Sequence, residues 1–138
     1  MTHGFTLDAR LAADTEPVAD FVLCRVRLMN DARFPWLILV PARPGLSEWH
    51  DVGPDDAALL WDETARAARA LETLCAPEKI NIAALGNIVR QLHIHVVARN
   101  TGDAAWPGPV WGAGTTEPYT PDALTSRREA LAALLAGG

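Results

Sequence analysis

The chain reads as an α+β protein built on an antiparallel sheet, and three observations point there. Strand-like segments come as a pair, then one long helical stretch, then a second pair with a short connection, which is the order of a meander and not of repeated βαβ units. The strand segments alternate or run apolar, whereas the stretch between them repeats its apolar residues at helical spacing. The length of 138 residues, 49% of them hydrophobic, suits a single core in a single domain spanning 1–138.

Leu7–Ala13 reads as a short helix. From Asp20 to Met29 the pattern alternates, with Val22, Cys24, Val26 and Leu28 on one face and Leu23, Arg25 and Arg27 on the other, so a strand is expected. Asn30, Asp31 and Ala32 make a polar turn before Phe34 and Pro35. Trp36–Val40 is a second strand, closed by Pro41 and by Pro44 and Gly45, and the two strands are expected to pair as an antiparallel hairpin.

Gly53, Pro54, Asp55 and Asp56 mark a helix start, since proline is tolerated in the first turn and acidic side chains are favoured there by the helix dipole. Leu60, Thr64, Ala67, Ala68, Leu71 and Leu74 continue the helix until Pro77 stops it. Two further strands are expected around Ile80–Leu85 and Leu92–Ala98. Residues 100–120 are rich in Gly, Pro, Thr and Trp, too turn-rich for a regular element, and Thr120, Pro121 and Asp122 then open a C-terminal helix over 121–136. Trp106 and Trp111 are read as anchors pinning that loop to the core in preference to contacts with a base or a partner.

A formal charge of −5 gives no footprint for duplex nucleic acid, which needs a basic stripe, although a small nucleotide needs only a few local donors. No apolar run approaches a membrane span, and Met1–Asp14 lacks the basic-then-apolar order of a signal peptide. A cytoplasmic protein with no membrane partner is the expectation. Cys24 and Cys75 fit neither a metal spacing nor a disulfide framework and are read as buried thiols.

The residues that suggest chemistry are Gln91, Leu92, His93, Ile94, His95, Val96 and Val97. In an extended segment His93 and His95 leave the same face while Leu92, Ile94 and Val96 bury the other. This segment resembles the signature of the histidine triad (HIT) family, His-x-His-x-His followed by two apolar residues, with Gln91 in the first position. Two more stretches carry the likeness: Lys79–Asn87, with Asn81, Gly86 and Asn87 where the family lines its phosphate pocket, and Asn30–Pro44.

The resemblance implies a HIT-like antiparallel sheet of about five strands with one long central helix and a C-terminal helix, paired as a homodimer. It points to the bacterial branch similar to dinucleoside polyphosphate hydrolases. It implies that His93 is the nucleophile forming a nucleotidyl-histidine intermediate, that His95 donates a hydrogen bond to the phosphate or leaving group, and that Gln91 is a positioning residue. His93 would need an acceptor, expected to be a backbone carbonyl, on its other ring nitrogen. Asn30 falls where such hydrolases hold the ribose, Asn81, Gly86 and Asn87 would contact phosphate, and Leu28, Phe34 and Leu37 are candidates for an apolar clamp on the base.

The chain departs from the pattern at Trp36, where many family members carry a histidine, and in lacking a later loop histidine. His50, beside Asp51, is assigned to the helix entry. No cofactor is expected in the protein, though a divalent cation could arrive with the substrate. Two other readings stay open: a HIT-fold nucleotide-binding protein with little turnover, and a metal protein using His93 and His95 with a distant carboxylate.

Overall fold

The computed structural model describes residues 4–137, so residues 1–3 and 138 of the expected domain, and with them the start of the Met1–Asp14 segment, lie outside the described residues. A short helix α1 (Ala9–Asp14) leads into strands β1 (Thr15–Asp20), β2 (Cys24–Met29) and β3 (Trp36–Pro41). A single 3-10 turn at Trp49–Asp51 precedes helix α2 (Pro54–Cys75), followed by β4 (Lys79–Ala83), β5 (Ile94–Arg99) and helix α3 (Pro121–Ala136). The five strands form one antiparallel sheet in the order β1-β2-β3-β5-β4. This is the expected α+β, HIT-like architecture.

The two faces of the sheet do different work. Cys24, Val26 and Leu28 of β2, Leu37 and Leu39 of β3, and Ile94, Val96 and Ala98 of β5 pack with α2 and α3 into the larger apolar cluster. Truncating one such wholly buried leucine to alanine costs about 2–5 kcal/mol. The opposite face carries Trp36, Ile38, Val40 and Val97, covered by Leu11 of α1 and by Val110 and Trp111 of the 100–120 loop. Period-two alternation along β3 and β5 therefore sends aliphatic residues to the helices and leaves the second face for the histidines.

The strand expected over Asp20–Met29 is broken. It turns at Phe21–Leu23, with Val22 at the exposed tip, and an additional strand, β1, precedes the turn. Glu63 of α2 is the cause: its two carboxylate oxygens accept the N–H groups of Leu23 and Cys24 at 2.9 and 2.8 Å. The carboxylate is only 1% exposed, and the two backbone donors it satisfies would otherwise be buried unpaired. Burial here also pushes the Cys24 thiol well above its ordinary pKa, with Glu63 beside it adding to the effect. Cys75, by contrast, is only half-buried, its Sγ 3.5 Å from Arg127 Nη1.

Helix α2 begins at the expected Pro54 and ends at Cys75, two residues before Pro77. Its C-cap, Ala76, sits in the left-handed region at φ +47°. That conformation costs an L-residue about 1 kcal/mol, which glycine avoids. Ala76→Gly should accordingly raise stability by roughly 0.5 kcal/mol, the gain at the cap being offset in part by glycine's greater freedom in the unfolded chain. Urea unfolding of both proteins checks this, and a loss of stability on substitution would contradict it.

Candidate active site

His93 lies in the extended approach to β5 and His95 within the strand, and their rings share the second face with centroids 4.8 Å apart. Both are almost fully buried. His93 Nδ1 is 2.7 Å from the backbone carbonyl of Gln91. A carbonyl only accepts, so Nδ1 carries the proton and the neutral ring keeps its lone pair on Nε2. That is the protonation a nitrogen nucleophile requires.

His95 is held from the neighbouring strand. In the β3–β5 register Ile38 stands opposite His95 and Trp36 opposite Val97, which makes Trp36 the diagonal neighbour of His95 on the same face. The Trp36 indole N–H donates to His95 Nδ1 at 3.0 Å. Trp111 sets its ring edgewise to both, at 5.2 Å from His95 and 6.3 Å from Trp36. Burial, reinforced by the neighbouring His93, lowers the His95 pKa from 6.5 to about 3.

Gln91, at the first motif position, uses its side chain elsewhere. Its Oε1 accepts the Asp8 N–H and its Nε2 donates to the Thr6 carbonyl, both at 2.8 Å. The side-chain amide fastens the N-terminal segment while the backbone carbonyl orients His93. The fastened segment leads into α1, whose N-cap Asp8 accepts the Arg10 N–H at 2.8 Å. Helix α1 in turn brings Arg10 and Asp14 to the rim of a cavity of about 280 Å³ that also contains Gly86, Asn87, His93, His95 and Trp111. At φ +78°, Gly86 holds a turn that side-chain-bearing residues avoid.

The sequence-derived candidates thus separate. His93, His95, Gly86 and Asn87 meet in one cavity. Asn30 lines an adjoining cavity of about 450 Å³, together with Trp36, Arg10 and Asp14. Its Oδ1 accepts the Tyr119 N–H at 2.9 Å, so the oxygen suited to a diol is engaged with backbone. Asn81 is outside both cavities and accepts from Arg99 Nη1 at 2.9 Å. The same guanidinium binds both oxygens of Asp103 at 2.7 and 2.9 Å, holding that carboxyl well below the usual carboxylate range and pinning the start of the 100–120 loop.

The proposed base clamp needs correction. Leu28 and Leu37 are wholly buried on the helix side of the sheet, and Phe34 is buried beneath the guanidinium groups of Arg33 and Arg99, so none of the three borders either cavity. His50 is exposed in the turn that enters α2, 4.0 Å from Asp51. Trp106 is about a third exposed and lies against Arg99, whereas Trp111 both anchors the loop and lines the cavity. Among the described residues no group of three or more His, Cys, Asp or Glu side chains gathers closely enough to hold a metal ion, and no helix is long and apolar enough to cross a membrane.

The depressed pKa of His95 ties stability to pH. In the unfolded chain the imidazole binds a proton below about pH 6.5, while the native ring resists until about 3. Between those values the unfolded state holds more protons, so stability must fall as pH falls. At pH 5 the loss attributable to this one group is about 2 kcal/mol. Urea unfolding at pH 7 and pH 5 should show a shallower decline for His95→Gln than for the parent, and equal declines would refute the assignment.

Comparison with known proteins agrees with this fold. The HIT domain model matches residues 10–102. A histidine triad protein from Sinorhizobium meliloti 1021 is 48% identical, with a TM-score of 0.91 over 99% of this chain and 98% of its own. Histidine triad proteins from Bradyrhizobium japonicum and Marinobacter aquaeolei VT8 are each 42% identical with TM-scores of 0.93, covering 96% of this chain and 98% and 97% of theirs. A search of the curated proteins finds no significant match. With the matched segment running from α1 to just beyond β5, and with these neighbours aligned over nearly their full length, the chain belongs to the histidine triad family.

Proposed function

We propose that the protein is a nucleotide hydrolase or nucleotidyl transferase that cleaves a nucleoside phosphoanhydride or phosphoramidate, such as a diadenosine polyphosphate, through a nucleotidyl group carried on His93. The observation that supports this most directly is the 2.7 Å contact of His93 Nδ1 with the Gln91 carbonyl, which leaves Nε2 as the free nucleophilic nitrogen of a residue lining a cavity of about 280 Å³. His95 acts as hydrogen-bond donor to the phosphate, Gln91 as a positioning residue through its carbonyl, and Gly86 and Asn87 as phosphate contacts. Asn30 serves the nucleoside in the adjoining cavity through its Nδ2 amide, its oxygen being held by the Tyr119 N–H. The reading needs no resident cofactor; a divalent cation would accompany the substrate.

The reading includes a homodimer. Strand β4 ends the sheet, and an edge strand offers unpaired backbone groups to a second chain. Ile82 on that strand is 53% exposed, and Leu85, Ile88 and Trp61 are exposed too. Sedimentation velocity should give a dimer for the parent and a monomer for Ile82→Arg; a monomeric parent would remove this part of the reading.

The function is tested by following AMP release from diadenosine polyphosphates and from adenosine phosphoramidate. His93→Asn should lower turnover by about a thousandfold or more while AMP binding persists. If both proteins bind AMP and neither releases it from any substrate, the protein is a nucleotide-binding member of the family with little turnover.

A further inference from the structure

Trp36 decides which proton His95 holds. An indole nitrogen donates and never accepts, so its 3.0 Å contact obliges His95 Nδ1 to present a lone pair. In the neutral ring the single proton must then reside on Nε2. Little freedom remains to escape this arrangement: the β3–β5 ladder fixes the two residues diagonally, Trp36 and His95 are only 6% and 5% exposed, and the Trp111 ring closes on both. A second proton on Nδ1 would point at the indole N–H.

The surrounding charges do not reverse this. The titratable groups facing the cavity are His93 from the approach to β5 and Arg10 and Asp14 from α1, the latter two paired loosely with each other at 3.8 Å. The segment Leu85–Val89 brings no charge, β3 brings Trp36, and the loop brings Trp111. A nucleotidyl group on His93 makes that ring cationic, which opposes an imidazolium next to it.

We propose that Trp36 locks His95 as a neutral N–H donor, and that the site therefore favours substrates whose leaving group departs as an anion, phosphoanhydrides, over phosphoramidates, whose amine must gain a proton to leave. This rests on nucleotidyl transfer to His93 and chooses between the two substrate classes named for it. His93 Nε2 forms a bond to the α-phosphorus while the bridging P–O bond breaks, its electron pair leaving on the departing phosphate oxygen. His95 Nε2–H hydrogen-bonds to that oxygen and keeps its proton. Water then attacks phosphorus, the P–N bond breaks with its pair returning to Nε2, and the water's proton passes to solvent. A bridging nitrogen would need a full proton from the same donor, and a neutral imidazole N–H is too weak an acid to supply one. At neutral pH burial keeps His95 in that uncharged form.

Two measurements test this on the intact protein. In ¹⁵N spectra of histidine-labelled parent protein between pH 7 and pH 5, His95 should show a pyridine-type Nδ1 and a pyrrole-type Nε2; a proton on Nδ1 in that range overturns the lock, whatever the activity. Steady-state kinetics should give a kcat/KM for diadenosine triphosphate that exceeds that for adenosine phosphoramidate by about a hundredfold or more, the span a general acid commands. In Trp36→Phe, which removes the indole donor while His95 stays buried, the same ¹⁵N spectra should show His95 Nδ1 gaining pyrrole character as the neutral ring becomes free to exchange tautomers; an Nδ1 signal unchanged from the parent overturns the lock. Parent protein that cleaves the phosphoramidate as well as the anhydride, with both activities lost in His93→Asn, overturns the preference while sparing the nucleotidyl-transfer reading. Turnover of neither substrate overturns that reading and the preference with it, and leaves the lock to the spectra.

Discussion

The pairing of β3 with β5 is the contact on which the rest of this molecule depends. It places β5 second from the sheet edge, with β3 on one side and β4 on the other, and thereby fixes which residues of the motif face the helices. A slip of one residue would turn every side chain of β5 over, sending His95 into the aliphatic cluster and Ile94 and Val96 to the cavity. The burial of Leu37, Leu39, Ile94 and Val96 against α2 and α3 makes that slip very costly. The chemistry of the second face is thus guarded by packing on the first.

Within that frame the two histidines receive opposite instructions. A backbone carbonyl can only accept, so His93 is left with a bare Nε2; an indole can only donate, so His95 is left with a protonated one. Two rings of the same residue type, 4.8 Å apart, are thereby made into an electron-pair donor and a proton donor without any charged partner. The pocket holds Arg10 and Asp14 only at its rim, on α1.

Much of this was legible in the chain. The spacing of His93 and His95, the Pro54 start and Pro77 stop of α2, and the polar opening of α3 at Thr120 are all local signals, and the structure has them within a residue or two. What escaped is non-local. β1 contains Pro17 and shows no alternation, and as an edge strand it tolerates both. The break at Phe21–Leu23 is imposed by Glu63, some 40 residues away and outwardly just another acid on a helix. Arg10 and Asp14 reach the cavity on a helix held by the buried Leu11 and by Gln91, which binds a segment 83 residues upstream. Trp36 reads from sequence as a loss relative to the family pattern, since only the sheet register reveals that its indole meets His95.

Gln91 combines two attachments in one residue. Its main chain supports the His93 ring, and its side chain clasps Thr6 and Asp8. Strain applied to the beginning of the polypeptide, by proteolytic nicking ahead of Asp8 or by a bulky fusion there, would consequently travel along a single side chain to the very carbonyl that aims His93. Arg10 would keep its place at the cavity mouth, because Leu11 buries α1 against the second face, so the disturbance would fall on the aim of a single imidazole while the sheet beneath it stays folded.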